Sequence, residues 1–317
     1  MHAFQAAGWR VLAQVRPRAG VAREPGQIDL ALHHTAELVT AARSATVVVY
    51  AVNPPYSEWA TQLLPLARTG MALAQALGAT FMLPGNVYAY GKAMPALLSE
   101  GTPEAPSDDK GQLRQQLEAE LAERGARGTL KSVVIRAGDF FGPETGTWID
   151  LMIAKQLLRG RAKLTYPGPL QAPHAWAYLP DLARTFVAVA GTQGLPLHSR
   201  WHFEGHTLCG AELLSGLEQA ARDMGLLGAD ARAVHAQMSW LPVRAIGLVL
   251  PFFRDLARMR YLYQVPHKLD GRALRAHFGP LTHTPLPEAL RLTLQFLAAR
   301  SAPQNAAGLQ EPGLGKR

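Results

Sequence analysis

Three short runs constrain this chain most: TVVVYAV (46–52), TFMLPG (80–85) and SVVIRAG (132–138). Each is apolar and rich in β-branched or bulky residues. None alternates apolar with polar, as a strand wetted on one face would, so each reads as a strand buried on both faces. Stretches of helical period lie between them. Residues 57–77 stop before Gly78, and residues 107–123 start at Ser107, an N-cap candidate after Pro106. Strand and helix alternating at this spacing predict βαβ units, and hence an α/β, doubly wound parallel sheet. Ligands in such folds bind beyond the carboxyl ends of the strands. Function is therefore expected in the loops after Val15, Ala51, Pro84 and Ala137.

The pattern changes near residue 195. Residues 200–225, RWHFEGHTLCGAELLSGLEQAARDMG, read as strand, turn and helix, and further helices follow. The expected organisation is a sheet domain over 1–195, a smaller mixed lobe over 196–300 interleaved with it, and a disordered tail over 301–317. A length of 317 residues, 48% of them hydrophobic, is enough for such a core.

The single cysteine, Cys209, excludes an internal disulfide framework. It suits a reducing compartment, and with no secretory signal pattern at the start a cytoplasmic location is expected. The most apolar later stretch, AIGLVLPFF (245–253), is shorter than the roughly 20 residues a bilayer span needs. It is expected to be a buried helix, with a pocket wall or an interfacial patch as alternatives, and no membrane partner is expected. The net charge of +8 is scattered. RGRAK (159–163) and RDLARMR (254–260) lack interleaved aromatics, so nucleic acid is not expected either. A basic balance does favour capture of a phosphorylated cofactor or substrate. His202 and His206 are four apart in a strand and turn, which does not make a metal site.

Seven landmarks in order, GWRVLAQVRP, QIDL, VVVYAVNPPY, GNVYAYG, VVIRAGDFFGP, HAWAYLPDLAR and HTPLPEAL, give the chain a resemblance. It resembles the extended and atypical short-chain dehydrogenase/reductase superfamily, in its NAD-dependent epimerase/dehydratase branch, over nearly all of residues 1–296. The resemblance implies a Rossmann domain that binds NAD or NADP and a smaller carboxy-terminal substrate lobe. The family's first strand and glycine-rich turn should precede RVLAQV and are not in this sequence, and the helix ending at Gly8 reads as the stub of the first helix. Measured against a complete βαβ unit, about 20 residues are expected to be missing. Either the start was placed too far downstream, which is the preferred explanation, or the chain truly lacks the element and cannot hold a dinucleotide in the usual way.

The same resemblance implies site residues. Arg16 ends the second strand, where an arginine suits a ribose 2′-phosphate, so NADP is expected over NAD, with NAD still open. Asp29 matches an aspartate that faces the adenine. Ala51, Val52 and Asn53 would run along the cofactor's ribose, held by the rigid Pro54–Pro55 pair, with Tyr56 toward the substrate. Arg136, Asp139 and Phe141 lie near where nicotinamide and substrate should meet, or Arg136 and Asp139 form a structural pair. His174, Trp176 and Tyr178 alternate along an extended segment and line the substrate pocket or fill the core. Asp181 reads as the N-cap of the next helix.

Family catalysis rests on a Ser or Thr and on Tyr-x-x-x-Lys. Here the Ser/Thr position is Asn86, the Tyr position Lys110 and the Lys position Arg114. Three readings stand open. Lys110 replaces tyrosine as acid/base; or Tyr88 or Tyr90 supplies the phenol; or the site binds without turnover. Lys110 and Arg114 could also be a plain basic helix face, with Arg114 paired to Glu118. The expected function is an NAD(P)-dependent oxidoreductase or epimerase acting on a small polar or sugar-like carbonyl or hydroxyl substrate. The alternative is a non-catalytic NADP-binding sensor. A homodimer is compatible with either.

Overall fold

The computed structural model describes residues 1–15, 26–144, 146–147, 149–228 and 231–301. Helix α1 (His2–Ala6) ends before Gly8, whose φ of +81° is open to glycine at little cost. Strands β1 (Ala13–Val15) and β2 (Gln27–Asp29) pair in parallel. Then come α2 (Thr35–Ala41), β3 (Val47–Val49), α3 (Trp59–Leu77), β4 (Thr80–Gly85), a short β5 (Leu97–Leu98), α4 (Asp109–Ala126) and β6 (Ser132–Arg136). The chain continues through β7 (Asp139–Phe141), a π-helical turn (Ile149–Ala154), α5 (Lys155–Leu157), β8 (Lys163–Tyr166), β9 (Pro173–Tyr178), α6 (Leu179–Ala190) and β10 (His198–His202). It closes with β11 (His206–Cys209), α7 (Gly210–Asp223), β12 (Val234–Gln237), α8 (Trp240–Gly247), α9 (Pro251–Arg258), α10 (Tyr261–Gln264), β13 (Lys268–Leu269), α11 (Arg272–Phe278) and α12 (Leu286–Ser301).

The three apolar runs lie side by side. The main sheet is parallel, in the order β10-β6-β4-β3, and every residue of β6 is buried. Alternation along β4 and β6 sorts their side chains between two helical layers. Phe81, Leu83 and Val134 pack with Ala67, Met71 and Ala74 of α3 and Leu117 and Leu121 of α4. Met82, Val133 and Ile135 pack on the other face with Leu182, Phe186 and Val189 of α6. This is the doubly wound arrangement that the runs predict.

The β1–β2 pair is a separate two-stranded sheet, and among the described residues no strand lies between β1 and β3. Val11–Gln14 and Thr46–Val49 instead face a shared cleft. The smaller lobe is centred on α7, α12 and β8. The lobes exchange elements across residue 195: β10 is an edge of the main sheet, whereas β8 pairs with β12. The tail beyond Ser301 and the Arg16 loop fall outside the described residues.

Several local expectations are corrected. Helix α4 is capped by Asp108, whose carboxylate accepts from Gly111 N at 2.9 Å, while Ser107 Oγ accepts from Lys92 N instead. Asp181 is no cap. It lies inside the first turn of α6, 1% exposed, and accepts from Thr284 N and Oγ and from Arg184. Residues 245–253 are not a buried helix. Gly247 and Pro251 divide the stretch into α8 and α9, which fold back on each other and leave the joining tip exposed. A Cβ on Gly247 would stand 2.9 Å from Arg254 Cα, so only glycine allows this approach.

Candidate functional site

A cleft of about 2210 Å³ opens at the carboxyl ends of β3, β4 and β6, where the topology places ligands. The loop after β3 brings Ala51, Val52, Asn53 and Tyr56 to it. The turn after β4 brings Asn86 and Tyr88, α4 brings Lys110 and Arg114, and the β6–β7 turn brings Gly138, Asp139 and Phe140. The far wall is the inner side of α8–α9, through Val243, Phe253 and Leu256.

Two phenols meet in this cleft. Tyr56 Oη and Tyr88 Oη are 2.8 Å apart. Asn86 Oδ1 accepts from Tyr88 N and shapes the turn that carries it. A Cβ on Gly111 would fall 2.6 Å from Tyr88 O, so the glycine lets α4 close onto this turn. Trp59 lies beside both phenol rings, and the Arg114 guanidinium sits 4.8 Å from a Trp59 ring centre. Burial pushes both phenols above their ordinary pKa. The effect is larger for Tyr88, and Arg114 only partly opposes it. Both therefore carry their protons at neutral pH. Burial lowers the Arg114 pKa, opposed by the neighbouring phenols, and Arg114 Nε is buried without a hydrogen-bond partner.

Lys110 is not directed at the phenols' oxygens. Its Nζ donates to Asp255 Oδ2 of α9 at 3.0 Å. Behind the phenols, Asp139 Oδ2 stands 3.3 Å from His174 Nε2. Burial raises the Asp139 pKa, but His174, together with Tyr263 and His267, outweighs it and leaves the carboxyl below its ordinary range. His174 Nδ1 faces the Leu262 carbonyl at 3.0 Å, so a proton toward Asp139 is present only on the imidazolium.

The remaining sequence candidates lie elsewhere. Tyr90 is buried away from the cleft, with its Oη 2.8 Å from His202 Nε2. Arg136 is fully buried and pairs with Glu118, at 2.6 Å, and with Glu104 rather than with Asp139. The hydrogen bonds that Glu118 accepts come from Arg136, and its charge reaches Arg114 only at longer range. Phe141, Trp176 and Tyr178 fill the core of the smaller lobe. Asp29 ends β2, and Arg16 lies outside the described residues. His202 and His206 do not converge. Donor atoms of His206, Asp181 and His283 lie within 4.8 Å of one another, but the Asp181 carboxylate is already held by Thr284 and Arg184. Sequence reasoning missed Asp255 and Trp59. Asp255 sits in a basic run and Trp59 in an apolar helix, and neither pattern marks a site.

Solved structures share this architecture. The UDP-glucose 4-epimerase of Thermotoga maritima, solved with UDP-glucose, matches with a TM-score of 0.71 at 13% identity, over 94% of this chain and 95% of that one. The Bordetella bronchiseptica enzyme WbmH, in complex with NAD+, gives 0.69 at 16% identity over 95% and 93%. MoeE5, in complex with UDP-glucose and NAD, gives 0.68 at 18% identity over 94% and 93%. At these identities the likeness is one of fold: a Rossmann-like α/β architecture with the layout of epimerases and dehydratases. No family model and no curated protein matches the chain.

Proposed function

We propose that this chain is a nicotinamide-dependent oxidoreductase or epimerase of the short-chain type, acting on a sugar-nucleotide carbonyl or hydroxyl with Tyr88 as its acid. One observation carries the reading: the Tyr56–Tyr88 phenol pair, 2.8 Å between oxygens, at the carboxyl ends of β3 and β4. The sugar-nucleotide substrate class is suggested by neighbours solved with UDP-glucose.

The lining fits the nicotinamide end of a dinucleotide. Ala51, Val52 and Asn53 would follow the ribose, and Gly138 and Phe140 would flank the ring. Residues 1–15 hold one glycine, Gly8, so the pyrophosphate would not be gripped there by a glycine-rich turn. A bound dinucleotide would supply hydride transfer, and Arg16 favours the 2′-phosphorylated form. Tyr88, kept protonated, donates a hydrogen bond and then a proton to the substrate oxygen. Tyr56 reprotonates it from the solvent side, and Arg114 steadies negative charge that develops on that oxygen. A phenol that holds its proton at neutral pH starts in the state that donates to a carbonyl oxygen, so the reducing step is the one it is poised for.

The test is turnover of keto-sugar nucleotides with NADPH and NADH, followed by nicotinamide absorbance. Tyr88→Phe should lower turnover by about 10²–10⁴ while leaving cofactor binding intact. Cofactor binding with no turnover across the panel would leave a binding protein and refute the catalytic assignment.

A further inference from the structure

The tip joining α8 to α9 carries large aliphatic side chains in the open. Leu241 is 72% exposed, Leu248 89% and Val249 82%, with Ile246 and Leu250 also exposed. Soluble monomers seldom present so concentrated an apolar patch without a partner for it. Its chemistry is also one-sided. Residues 238–264 hold four arginines, at 244, 254, 258 and 260, and one acid, Asp255. Lys110 already occupies that acid. Arg244, Arg254 and Arg258 are exposed, Arg258 with a distant 3.8 Å approach to Asp109. The tip also satisfies its own backbone. Leu248 N donates to Ala245 O, and Val249 N and Leu250 N both donate to Ile246 O. It can therefore enter an apolar phase without stranding these donors.

We propose that this tip docks the protein on the surface of an anionic phospholipid bilayer. Leu248, Val249 and Leu250 enter the headgroup–acyl boundary while the flanking arginines bind lipid phosphates. Apolar insertion together with guanidinium contacts is the chemistry of interfacial anchors. A second copy of the chain is the poorer occupant, because two such tips would bring their arginines together. No helix among the described residues is long and apolar enough to cross a membrane. That length criterion underlies the sequence expectation of no membrane partner. It bears on spanning a bilayer, not on lying against one. The inner side of the same hairpin lines the cleft, so docking would hold the cleft wall at the lipid surface. The proposal is independent of the catalytic reading.

The test is co-sedimentation of the full chain with vesicles of phosphatidylcholine alone or with about one-third phosphatidylglycerol, at low and high salt. The protein should bind the anionic vesicles, and binding should weaken with salt. Leu248→Asp/Val249→Asp should cut partitioning at least about tenfold. Arg254→Gln/Arg258→Gln should reduce it by about tenfold or more on anionic vesicles only. Near-ultraviolet circular dichroism checks that each variant is folded. Failure of the parent protein to bind anionic vesicles overturns the proposal, as does equal binding by the tip variant. A dimer that the tip variant dissolves, without vesicle binding, overturns it in favour of self-association.

Discussion

Lys110 of α4 and Asp255 of α9 are joined by a 3.0 Å charge-assisted hydrogen bond across 145 residues of sequence. The side chains are only 10% and 23% exposed, so water screens the pair weakly. The bond fixes the cleft's outer wall to α4, the helix that also carries Arg114. Lys110→Met should cost about 1–3 kcal/mol in urea unfolding. It should raise KM more than it lowers kcat, because the wall shifts while the phenols remain. A collapse of kcat with unchanged stability would instead make Lys110 the acid.

The phenol pair predicts an asymmetric mutational result. Tyr88 is the more deeply buried and touches the turn that Asn86 shapes. Tyr88→Phe should lower kcat by about 10²–10⁴, the range for loss of a positioned acid. Tyr56→Phe should cost about tenfold, since the proton can then come from water. Burial holds both phenols above their ordinary pKa, so the reductive rate should show no tyrosine limb below about pH 10. Steady-state pH profiles of the three proteins check this.

The sheet was legible because burial on both faces writes itself into local sequence. Phe81, Val133 and Ile135 are apolar whichever way they point. The loops that line the cleft follow from topology, whereas Asn53, Asn86 and Tyr88 are singled out within them by the family resemblance. What local pattern cannot show is which way an ionised side chain turns. Arg136 and Asp139 are three apart, yet Arg136 turns to Glu104 and Glu118 and Asp139 to His174. Those partners come from other elements and are set by packing. The α8–α9 tip misled for the reverse reason: apolar sequence implies burial only if another element is there to cover it.

Buried neutral histidines predict acid sensitivity. Burial pushes His202 and His267 each down to about 4. At His202 the Arg136 and Arg200 cations act with burial, and the hydrogen bond from Nδ1 to the Leu98 carbonyl opposes them only in part. The unfolded chain takes up these protons near pH 6.5 and the folded one only near 4. In that window the unfolded state binds more protons, so stability falls as pH drops. Each residue should contribute a loss on the order of 1–2 kcal/mol between pH 7 and 5. Urea midpoints across that range measure it, and His202→Gln should flatten the slope.

The Arg136 cluster predicts a stability effect without a binding effect. Arg136 sits fully buried at the end of β6, with Glu118 on Nε and Nη2, Glu104 on Nη2, and the Tyr90 ring 4.8 Å away. Burial lowers its pKa, but Glu118, with Tyr90 and Glu104, outweighs burial and raises it above the ordinary arginine value, so the cation persists. Arg136→Met removes the cation and leaves Glu118 with Arg200 at 3.6 Å, while Glu104 keeps its Arg200 ion pair. Stranding the buried Glu118 in this way costs about 3–5 kcal/mol. Arg136→Met/Glu118→Met removes charge from both sides and should recover much of that loss. Cofactor affinity, measured by nicotinamide fluorescence under conditions where the variants are folded, should change less than about threefold, because Arg136 does not line the cleft. A much larger loss of affinity in the stable double variant would return Arg136 to the binding site.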